Sequence, residues 1–284
     1  MYYIVSIKLI IIKFINQFIL RKKIKWEIYF AKNNFKNINK KEIIKINNTK
    51  NSWFADPFFI KKSNNYYIFC EEFSEVKKIG KISCIKILKN NKLIFFNNII
   101  KENFHLSFPF IFKFNNKFYI IPESLGDNSL RLYECTQFPN KWKLKKIIFN
   151  NVRFVDSMIF KKNSIWYLIV CTENKKFIFN KIKIFYSKNP IKKQWKEIVN
   201  LNHNIFGRNG GLIKFKKDLL RVEQKYFKGR YGYGYKLNKL CKINSKNFKE
   251  IIFKKDYLKL TNVKNIHTIN SDHAFTTFDN SYWE

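Results

Sequence analysis

The chain has few glycines, prolines and acidic residues, and its cysteines form no recognisable cluster. Eight glycines and five prolines among 284 residues accompany abundant Lys, Asn, Ile, Phe and Tyr, a composition typical of AT-rich coding DNA. The five cysteines include no C-x-x-C pair and no metal-type spacing with the four histidines. Because an odd number of cysteines argues against a disulfide framework, we expect a reducing, cytoplasmic setting, and we expect neither a metal nor a cofactor.

Acidic residues are outnumbered by basic ones. There are 20 Asp and Glu against 56 Lys and Arg, which gives a formal net charge of +36. Such an excess is typical of proteins that bind nucleic acid or anionic membranes. The lysines, however, are scattered through predicted turns and outer strands, which favours the coding bias as their cause. We therefore expect no specific nucleic-acid partner, and only a general attraction to phosphates and acidic surfaces.

No apolar segment is long enough to span a bilayer. The first 24 residues are the most apolar, but Lys8, Lys13, Asn16 and Gln17 interrupt them, and a span needs about 20 apolar residues. They also lack the small-residue cleavage site of a secretory signal. Residues 1–24 are therefore predicted to be a short amphipathic helix. Two interpretations stay open: peripheral contact with an anionic inner membrane, or packing against the side of a single domain formed by residues 25–284.

The chain contains one sequence pattern in five successive copies. Each copy has a short polar opening, an apolar run, a turn rich in Lys and Asn, a second apolar run and a polar or acidic close. The opening positions Asp56, Phe108, Asp156, Gly210 and His267 lie roughly 50 residues apart, the spacing of propeller blades. The copies are WFADPFFIKKSNNYYIFCEE (53–72), HLSFPFIFKFNNKFYIIPES (105–124), RFVDSMIFKKNSIWYLIVCTE (153–173), GRNGGLIKFKKDLLRVEQ (207–224) and the shorter HTINSDHAFTTFDN (267–280).

These repeats predict an all-β, five-bladed β-propeller. The apolar runs are rich in Phe, Ile, Tyr and Val, as strands are, and a second pair of strand-like segments follows each of the first four hairpins. Each unit therefore has the four strands of a blade. The fifth copy is truncated, and residues 25–32 form an orphan strand before the first copy. We expect this strand to be an outer strand of the last blade and to close the ring. A β-sandwich is the alternative, but sandwiches do not repeat hairpin sequences at this period.

The opening and closing residues of the copies should meet at one mouth of the central channel, because a hairpin returns its end beside its start. Glu71, Glu123 and Gln224 follow Pro57, Pro109 and Gly210 at the same spacing and should correspond. The opening and closing residues selected as candidates are Asp56, His105, Ser107, Glu123, Asp156, Arg208, Asn209, Arg221, Gln224 and His267.

A ring of carboxylates with Arg and His among them suits the chemistry of sugars. Paired carboxylates can act as general acid and base across a glycosidic bond, and arginines can clamp a phosphate or carboxylate. Aromatic residues such as Trp53 and Tyr231 offer faces on which a pyranose ring can stack. Structural roles are the alternative for several candidates: Asp56 could shape a turn before Pro57, and His105 could bridge two blades.

Six of these motifs together resemble one known domain. FADPF, HLSFP with IIPES, VDSMIF, RNGGLI, RVEQ followed by Tyr231-Gly232, and His267-Thr268 are similar to the N-terminal domain of glucosamine inositolphosphorylceramide transferases, over about residues 50–270. That domain also occurs in bacterial proteins, sometimes beside formyltransferase-like domains, and is distantly similar to the five-bladed propellers of glycoside hydrolase family 43.

The resemblance implies a role in surface-glycan or glycolipid assembly, with a sugar or sugar nucleotide as ligand. Asp56 matches the Asp that serves as base in those hydrolases, Glu123 is the candidate acid, and Asp156 is the candidate second carboxylate. The opening His105-Leu106-Ser107 and Lys225 depart from the hydrolase pattern. The plant transferases carry a separate glycosyltransferase domain, so two functions stay open: catalysis of glycosyl transfer or hydrolysis, or an accessory module that binds glycan or a glycosyltransferase or formyltransferase partner.

Overall fold

A computed structural model describes residues 23–173, 181–192, 194–199, 207–225, 234–255 and 265–284. These residues form twenty β-strands, two single 3-10 turns (Lys40–Glu42 and Leu125–Asp127) and no α-helix. The helix predicted near the N-terminus falls outside the described residues. Within the described ranges, no helix has the length and apolar character needed to cross a membrane.

The strands are numbered in chain order. β1 spans Ile24–Ala31 and β2 Ile44–Ile46; the next four are β3 (Ser52–Lys62), β4 (Asn65–Ser74), β5 (Ile79–Ile87) and β6 (Leu93–Ile100). They are followed by β7 (Ser107–Phe114), β8 (Lys117–Glu123), β9 (Ser129–Gln137), β10 (Lys141–Asn150), β11 (Phe154–Lys162), β12 (Ile165–Thr172), β13 (Lys181–Ser187) and β14 (Lys196–Glu197). The remaining strands are β15 (Arg208–Phe215), β16 (Asp218–Gln224), β17 (Tyr235–Ile243), β18 (Phe248–Lys255), β19 (Ile269–Ser271) and β20 (Thr276–Trp283).

The strands fall into five groups of four, as the repeats predict. β3–β6, β7–β10 and β11–β14 are separate antiparallel sheets, and β15–β18 follow the same order. The fifth group runs β19-β20-β1-β2 and meets β15 through one parallel pairing, Ile213 with Ser271. The first strands contact one another in sequence, β3 with β7, β7 with β11, β11 with β15, β15 with β19 and β19 with β3. The chain is therefore an all-β propeller whose innermost strands close a five-membered ring.

The orphan strand closes the ring. β1 pairs antiparallel with β20 from Ile24 opposite Trp283 to Ala31 opposite Thr276, which confirms the predicted pairing with the last blade. β1 is the third strand of that blade, because β2 pairs on its other side and is the outermost. Ile28 and Phe30 of β1 are fully buried and pack in one cluster with Phe54 of the first blade. The closure therefore joins the N-terminal strand both to the last blade and to the first.

Each of the first four innermost strands has a β-bulge at the opening position identified from the repeats. The pairing register shifts between Ala55 and Phe58, Ser107 and Phe110, Val155 and Met158, and Asn209 and Gly211. Three bulge residues have left-handed φ angles: Asp56 (51°), Phe108 (45°) and Asp156 (48°). Such angles are costly for residues other than glycine, and bulges of this kind redirect side chains near functional sites.

Candidate functional site

A cavity of about 150 Å³ lies at the mouth of the channel formed by the opening residues. We call it the acidic mouth. Its lining confirms that Asp56, Glu123, Asp156, Arg208 and His267 converge at one end of the ring. The twelve lining residues are Trp26, Trp53, Ala55, Asp56, Glu71, Phe73, His105, Ser107, Glu123, Asp156, Arg208 and His267.

Hydrogen bonds from two other blades fix the side chain and the backbone of Asp56. Its Oδ2 accepts a hydrogen bond from the backbone N–H of Phe108 (3.2 Å), and its Oδ1 accepts one from the Thr268 hydroxyl (2.8 Å). Its own N–H donates to Asp279 Oδ2 (3.0 Å). These bonds satisfy the backbone at two bulges, so the carboxylate connects three blades. The candidate base is therefore also a structural link between the first, second and fifth blades.

His267 lies between two buried carboxylates. Its Nε2 is 3.2 Å from Asp56 Oδ1, and its Nδ1 is 2.8 Å from Asp279 Oδ2. Burial alone would lower the pKa of His267, but the charges of Asp279 and Asp56 outweigh it and raise the pKa to about 10. Burial would likewise raise the pKa of Asp56, yet His267 and Thr268 bring it below its usual value. At neutral pH an imidazolium therefore faces an ionised Asp56.

Glu123, Asp156 and Arg208 form a second charged group. Arg208 contacts Asp156 through Nε (2.5 Å) and Nη2 (2.7 Å), and its Nη2 lies 3.4 Å from Glu123 Oε2. The same Glu123 oxygen accepts the N–H of Asp156 (3.2 Å). Burial and the neighbouring carboxylates raise the pKa of Glu123 to about 8 against the attraction of Arg208.

Asp156 differs from Glu123 in how closely the arginine holds it. Burial raises the pKa of Asp156 too, and the two short contacts with Arg208 oppose this. Because the guanidinium makes only one long contact with Glu123, it favours the ionised form of Asp156 over that of Glu123. At neutral pH the proton of this pair therefore resides on Glu123.

His105 and Glu71 complete the mouth on the side of the second blade. His105 Nδ1 accepts the backbone N–H of Gly80 (3.0 Å), so its proton is on Nε2, which faces Glu71 Oε1 at 3.2 Å. Burial raises the pKa of Glu71. A side chain at Gly80 would meet Leu106 O at 2.6 Å and His105 Cε1 at 2.7 Å, so only glycine permits this approach. The His105 side chain is 41% exposed, which leaves it open to the cavity.

Three of the predicted site residues do not line the acidic mouth. Arg221 is fully buried within the fourth blade, where it contacts Glu223 (3.0 Å) and Glu250 (2.5 Å). Asn209 donates to the Asp156 carbonyl (2.8 Å), and Gln224 donates to the Asn209 carbonyl (2.6 Å). The first bond holds the opening of the fourth blade against the third, and the second fixes that opening within the fourth blade. Ser107 does line the mouth, and Tyr231 lies outside the described residues.

Two residues that contact His267, Trp26 and Asp279, were not among the candidates selected from the sequence. Trp26 comes from β1 and packs against His267, with ring centroids 3.9 Å apart and ring planes tilted by 33°. Asp279 also accepts the N–H groups of His267 (3.1 Å) and Thr268 (2.9 Å). Asp279 is in the closing part of the fifth copy, so the rule that selected Glu71 and Glu123 would have selected it. Trp26 had no such signal, because it lies outside the repeats.

Only one cluster among the described residues has metal-type geometry. Donor atoms of Asp56, His267 and Asp279 all lie within 4.8 Å of one another. The two carboxylates already accept hydrogen bonds from Thr268 and backbone N–H groups. The two ring nitrogens of His267 already face these carboxylates, at 3.2 and 2.8 Å, so the three side chains satisfy one another and we assign no metal to this cluster.

The fold resembles solved glycoside hydrolases. A thermostable family-43 glycoside hydrolase matches with a TM-score of 0.60 and 11% identity, covering 83% of this chain and 91% of that one. A family 117 glycoside hydrolase from Zobellia galactanivorans gives 0.57 and 10%, covering 92% and 90%. The arabinanase of Bacillus subtilis gives 0.54 and 14%, covering 82% and 95%. At such identities the likeness shows the class of fold, a propeller of the glycoside hydrolase family 43 type.

Sequence comparison narrows this class to one family. A family profile described as the N-terminal region of glucosamine inositolphosphorylceramide transferase 1 matches residues 41–277, and the chain belongs to that family. The transferase 1 of Oryza sativa subsp. japonica is 30% identical over 209 residues, 70% of this chain and 28% of the relative. The transferase 1 of Arabidopsis thaliana is 31% identical over 210 residues, 70% and 27%. The chain thus spans little more than a quarter of the length of these relatives.

Proposed function

We propose that the acidic mouth binds a sugar and catalyses glycosyl transfer or hydrolysis, in the assembly of a surface glycan or glycolipid. One feature carries the proposal: burial and neighbouring carboxylates raise the pKa of Glu123 to about 8, while the contacts of Asp56 with His267 and Thr268, across the same cavity, keep its pKa below the usual value. Two carboxyl groups whose pKa values are pushed apart are the usual pair of acid and base in glycosidic chemistry. Family membership and the hydrolase-like fold support the carbohydrate class.

Glu123 is proposed as the general acid. Its Oε2 is engaged by Asp156 and Arg208, and its Oε1 makes no hydrogen bond within the described part of the chain. This oxygen is therefore suited to donate a proton to the leaving oxygen of a glycosidic or phosphate ester bond. Asp156 and Arg208 would keep Glu123 oriented, and Asp56 would accept the proton of the attacking hydroxyl or water.

The cavity suggests the size and charge of the ligand. At about 150 Å³ it is smaller than the roughly 300–1,000 Å³ of drug-sized sites, which favours a single sugar ring. Trp26 and Trp53 offer apolar faces for that ring, and Arg208 and His105 offer donors for a phosphate or hydroxyl. A phosphorylated hexosamine fits this set, and a nucleotide-linked hexosamine would place only its sugar ring in the cavity; glucosamine appears in the names of the relatives.

A second candidate is a binding module without catalysis. The links from Asp56 to Phe108, Thr268 and His267 favour it, because they are what a structural carboxylate would make. In that case the same mouth would present a glycan to a glycosyltransferase or formyltransferase partner. We propose a cytoplasmic location for either function, with peripheral contact at the inner membrane as the open alternative for residues 1–24.

One pair of assays on the whole chain tests the proposal. Ligand-observed NMR with glucosamine, glucosamine phosphate and uridine-diphosphate hexosamines measures binding, and release of nucleotide or free sugar measures turnover. Glu123→Gln should keep binding within about threefold and lose roughly 10²–10⁴-fold in kcat, the usual worth of a general acid. Arg208→Ala should weaken binding, because it removes the donor beside both carboxylates.

Glu197→Gln is the matched control. Glu197 forms an exposed pair with Lys183 (3.1 Å) on an outer strand. The substitution therefore removes one carboxylate far from the mouth and should change neither sugar binding nor turnover. Binding without turnover by the wild-type chain would support the binding module. If none of these sugars binds at millimolar concentration, both the catalytic function and the binding module are contradicted.

A further inference from the structure

The opposite end of the channel holds a larger cavity that the proposed function does not use. Its volume is about 780 Å³, within the range of small-molecule sites. It is lined by the far ends of β3, β7, β11 and β15, whereas the acidic mouth is lined by their beginnings. Asp56 lies at the bulge of β3 and Lys61 near its far end, and five residue steps along the strand separate them by about 16 Å.

Four lysines surround this second mouth at equivalent positions. In each of the first four innermost strands, pairing resumes after the bulge, and the lysine lies three residues beyond the point where it resumes. The four residues are Lys61, Lys113, Lys161 and Lys214. Each sits at the end of a hairpin, opposite Tyr66, Phe118, Trp166 and Leu219 respectively. All four are exposed and line the cavity. The repeat therefore puts one cation per blade around the rim in four of the five blades. We call this set the lysine ring.

The lysine ring has little negative charge near it. None of its four members forms an ion pair with an acidic side chain in the described ranges, and only Asp218 and Asp272 contribute carboxylates to the lining. Asp218 is paired with Lys239 (2.9 Å). Asp272 Oδ1 accepts the backbone N–H groups of Ala274 and Phe275 at 2.8 and 2.9 Å. Like charges gathered around a concave surface create a positive potential that attracts anions.

Apolar side chains from the same strands line the cavity between the lysines. Phe58, Phe110 and Phe112 come from the first two blades, and Trp166 of the third packs against Phe112 with ring centroids 5.6 Å apart. A site with a cationic rim and an aromatic interior suits a ligand with two different parts. One part carries several negative charges, and the other is flat or apolar.

We propose that the second mouth is a binding site for a soluble organic oligophosphate, a compound with two or more linked phosphates on an apolar or aromatic group. The lysine ring contacts the phosphates, because lysine acts as a point charge for phosphate oxygens. The aromatic interior takes the organic part. Four rim cations match an oligophosphate better than a single phosphate, which carries at most two negative charges. The site is separate from the acidic mouth and does not depend on the function proposed for it.

Isothermal titration calorimetry of the whole chain tests this site, with ATP, inorganic triphosphate and adenosine as probes. The affinity for ATP should be at least about fivefold higher than the affinity for triphosphate, since only ATP has an aromatic part. Adenosine alone should bind weakly, because it has no phosphates. Replacing the lysine ring by glutamine at all four positions should weaken ATP binding by about 30-fold or more, as each charged contact contributes a few-fold.

The matched control removes the same charge elsewhere. Lys50, Lys77, Lys143 and Lys249 are exposed and do not line the cavity; replacing all four by glutamine should change ATP affinity by less than about threefold, since only screened long-range attraction is lost. If the ring variant fails to fold, Lys113→Gln and Lys214→Gln singly should each weaken ATP by about threefold to fivefold. Three results would overturn the proposal: equal losses in both quadruple variants, no ATP binding at 1 mM, or binding to phosphatidylglycerol vesicles that ATP does not displace. Equal affinity for ATP and triphosphate would overturn the part of it that concerns the aromatic interior.

Discussion

The carboxylate of Asp56 in the first blade accepts the backbone N–H of Phe108 in the second, at 3.2 Å. Each residue is the bulge residue of its innermost strand, with a left-handed φ angle. The bond repeats around the ring: Asp279 accepts the N–H of Asp56, and Glu123 accepts the N–H of Asp156. The side chains that make the acidic mouth therefore also hold neighbouring blades together, so stability and function should be tested side by side.

Asp56→Asn should destabilise the protein substantially. The change leaves the His267 imidazolium without one of its two buried charge partners, and breaking a buried pair typically costs about 3–5 kcal/mol. Chemical denaturation at pH 7 measures the loss. Glu197→Gln is the control, because Glu197 forms an exposed pair with Lys183 (3.1 Å) and its loss should cost less than about 1 kcal/mol. Equal effects of the two changes would show that Asp56 is not a structural link.

The stabilisation by His267 should depend on pH. Its folded pKa of about 10 lies above the ordinary 6.5, so its contribution is fully present below about pH 6.5 and is lost as the pH rises towards 10. The free energy of unfolding of the wild type, minus that of His267→Gln, should therefore be largest near pH 6 and fall steadily to pH 10. Because both proteins contain the same lysines, the effect of lysine titration on unfolding cancels in this difference. A difference that stays constant from pH 6 to 10 would mean that His267 is neutral in the folded protein.

Gly210→Ala should be far more harmful than Gly126→Ala. A Cβ at Gly210 would lie 2.2 Å from the carbonyl oxygen of His267, whereas at Gly126 the nearest atom, the Cβ of Phe104, is 3.1 Å away. The first change forces the fourth and fifth blades apart and should cost about 1–3 kcal/mol or more. The second lies on a surface turn and should cost less than about 1 kcal/mol. Thermal unfolding measures the melting temperature of both variants. If Gly126→Ala lowered it more than Gly210→Ala, the fourth and fifth blades would not approach this closely.

Removal of β1 should open the ring. A chain without residues 1–33 loses the strand that pairs with both β20 and β2, and an unpaired sheet edge favours aggregation. We expect a much lower melting temperature or an insoluble product. A chain without residues 1–22 retains β1 and is the control for shortening. A soluble deletion of 1–33 that melts with the control would rule out closure by this strand.

The sequence predicted the fold and the position of the mouth because both follow from the repeat. Asp56 and Asp156 were aligned as equivalents, and the structure has a bulge at each. Arg221 was harder to place, because side chains alternate along a strand and nothing in the repeat says which face is buried. Trp26 reaches His267 only because β1 joins the last blade, so its place depends on a contact between distant parts of the chain. Tyr231 remains a prediction.

The titration of the Glu123 carboxyl shows whether this residue can act as a general acid. Carbon-13 NMR of the glutamate side chains, with Glu123→Gln to assign the signal, follows its protonation from pH 4 to 9. We expect a midpoint near 8, because burial and the neighbouring carboxylates raise the pKa of Glu123. An acid with a proton to donate is then present in the acidic mouth at neutral pH. A midpoint near the ordinary 4.5 would show an ionised Glu123 and would contradict its role as the general acid.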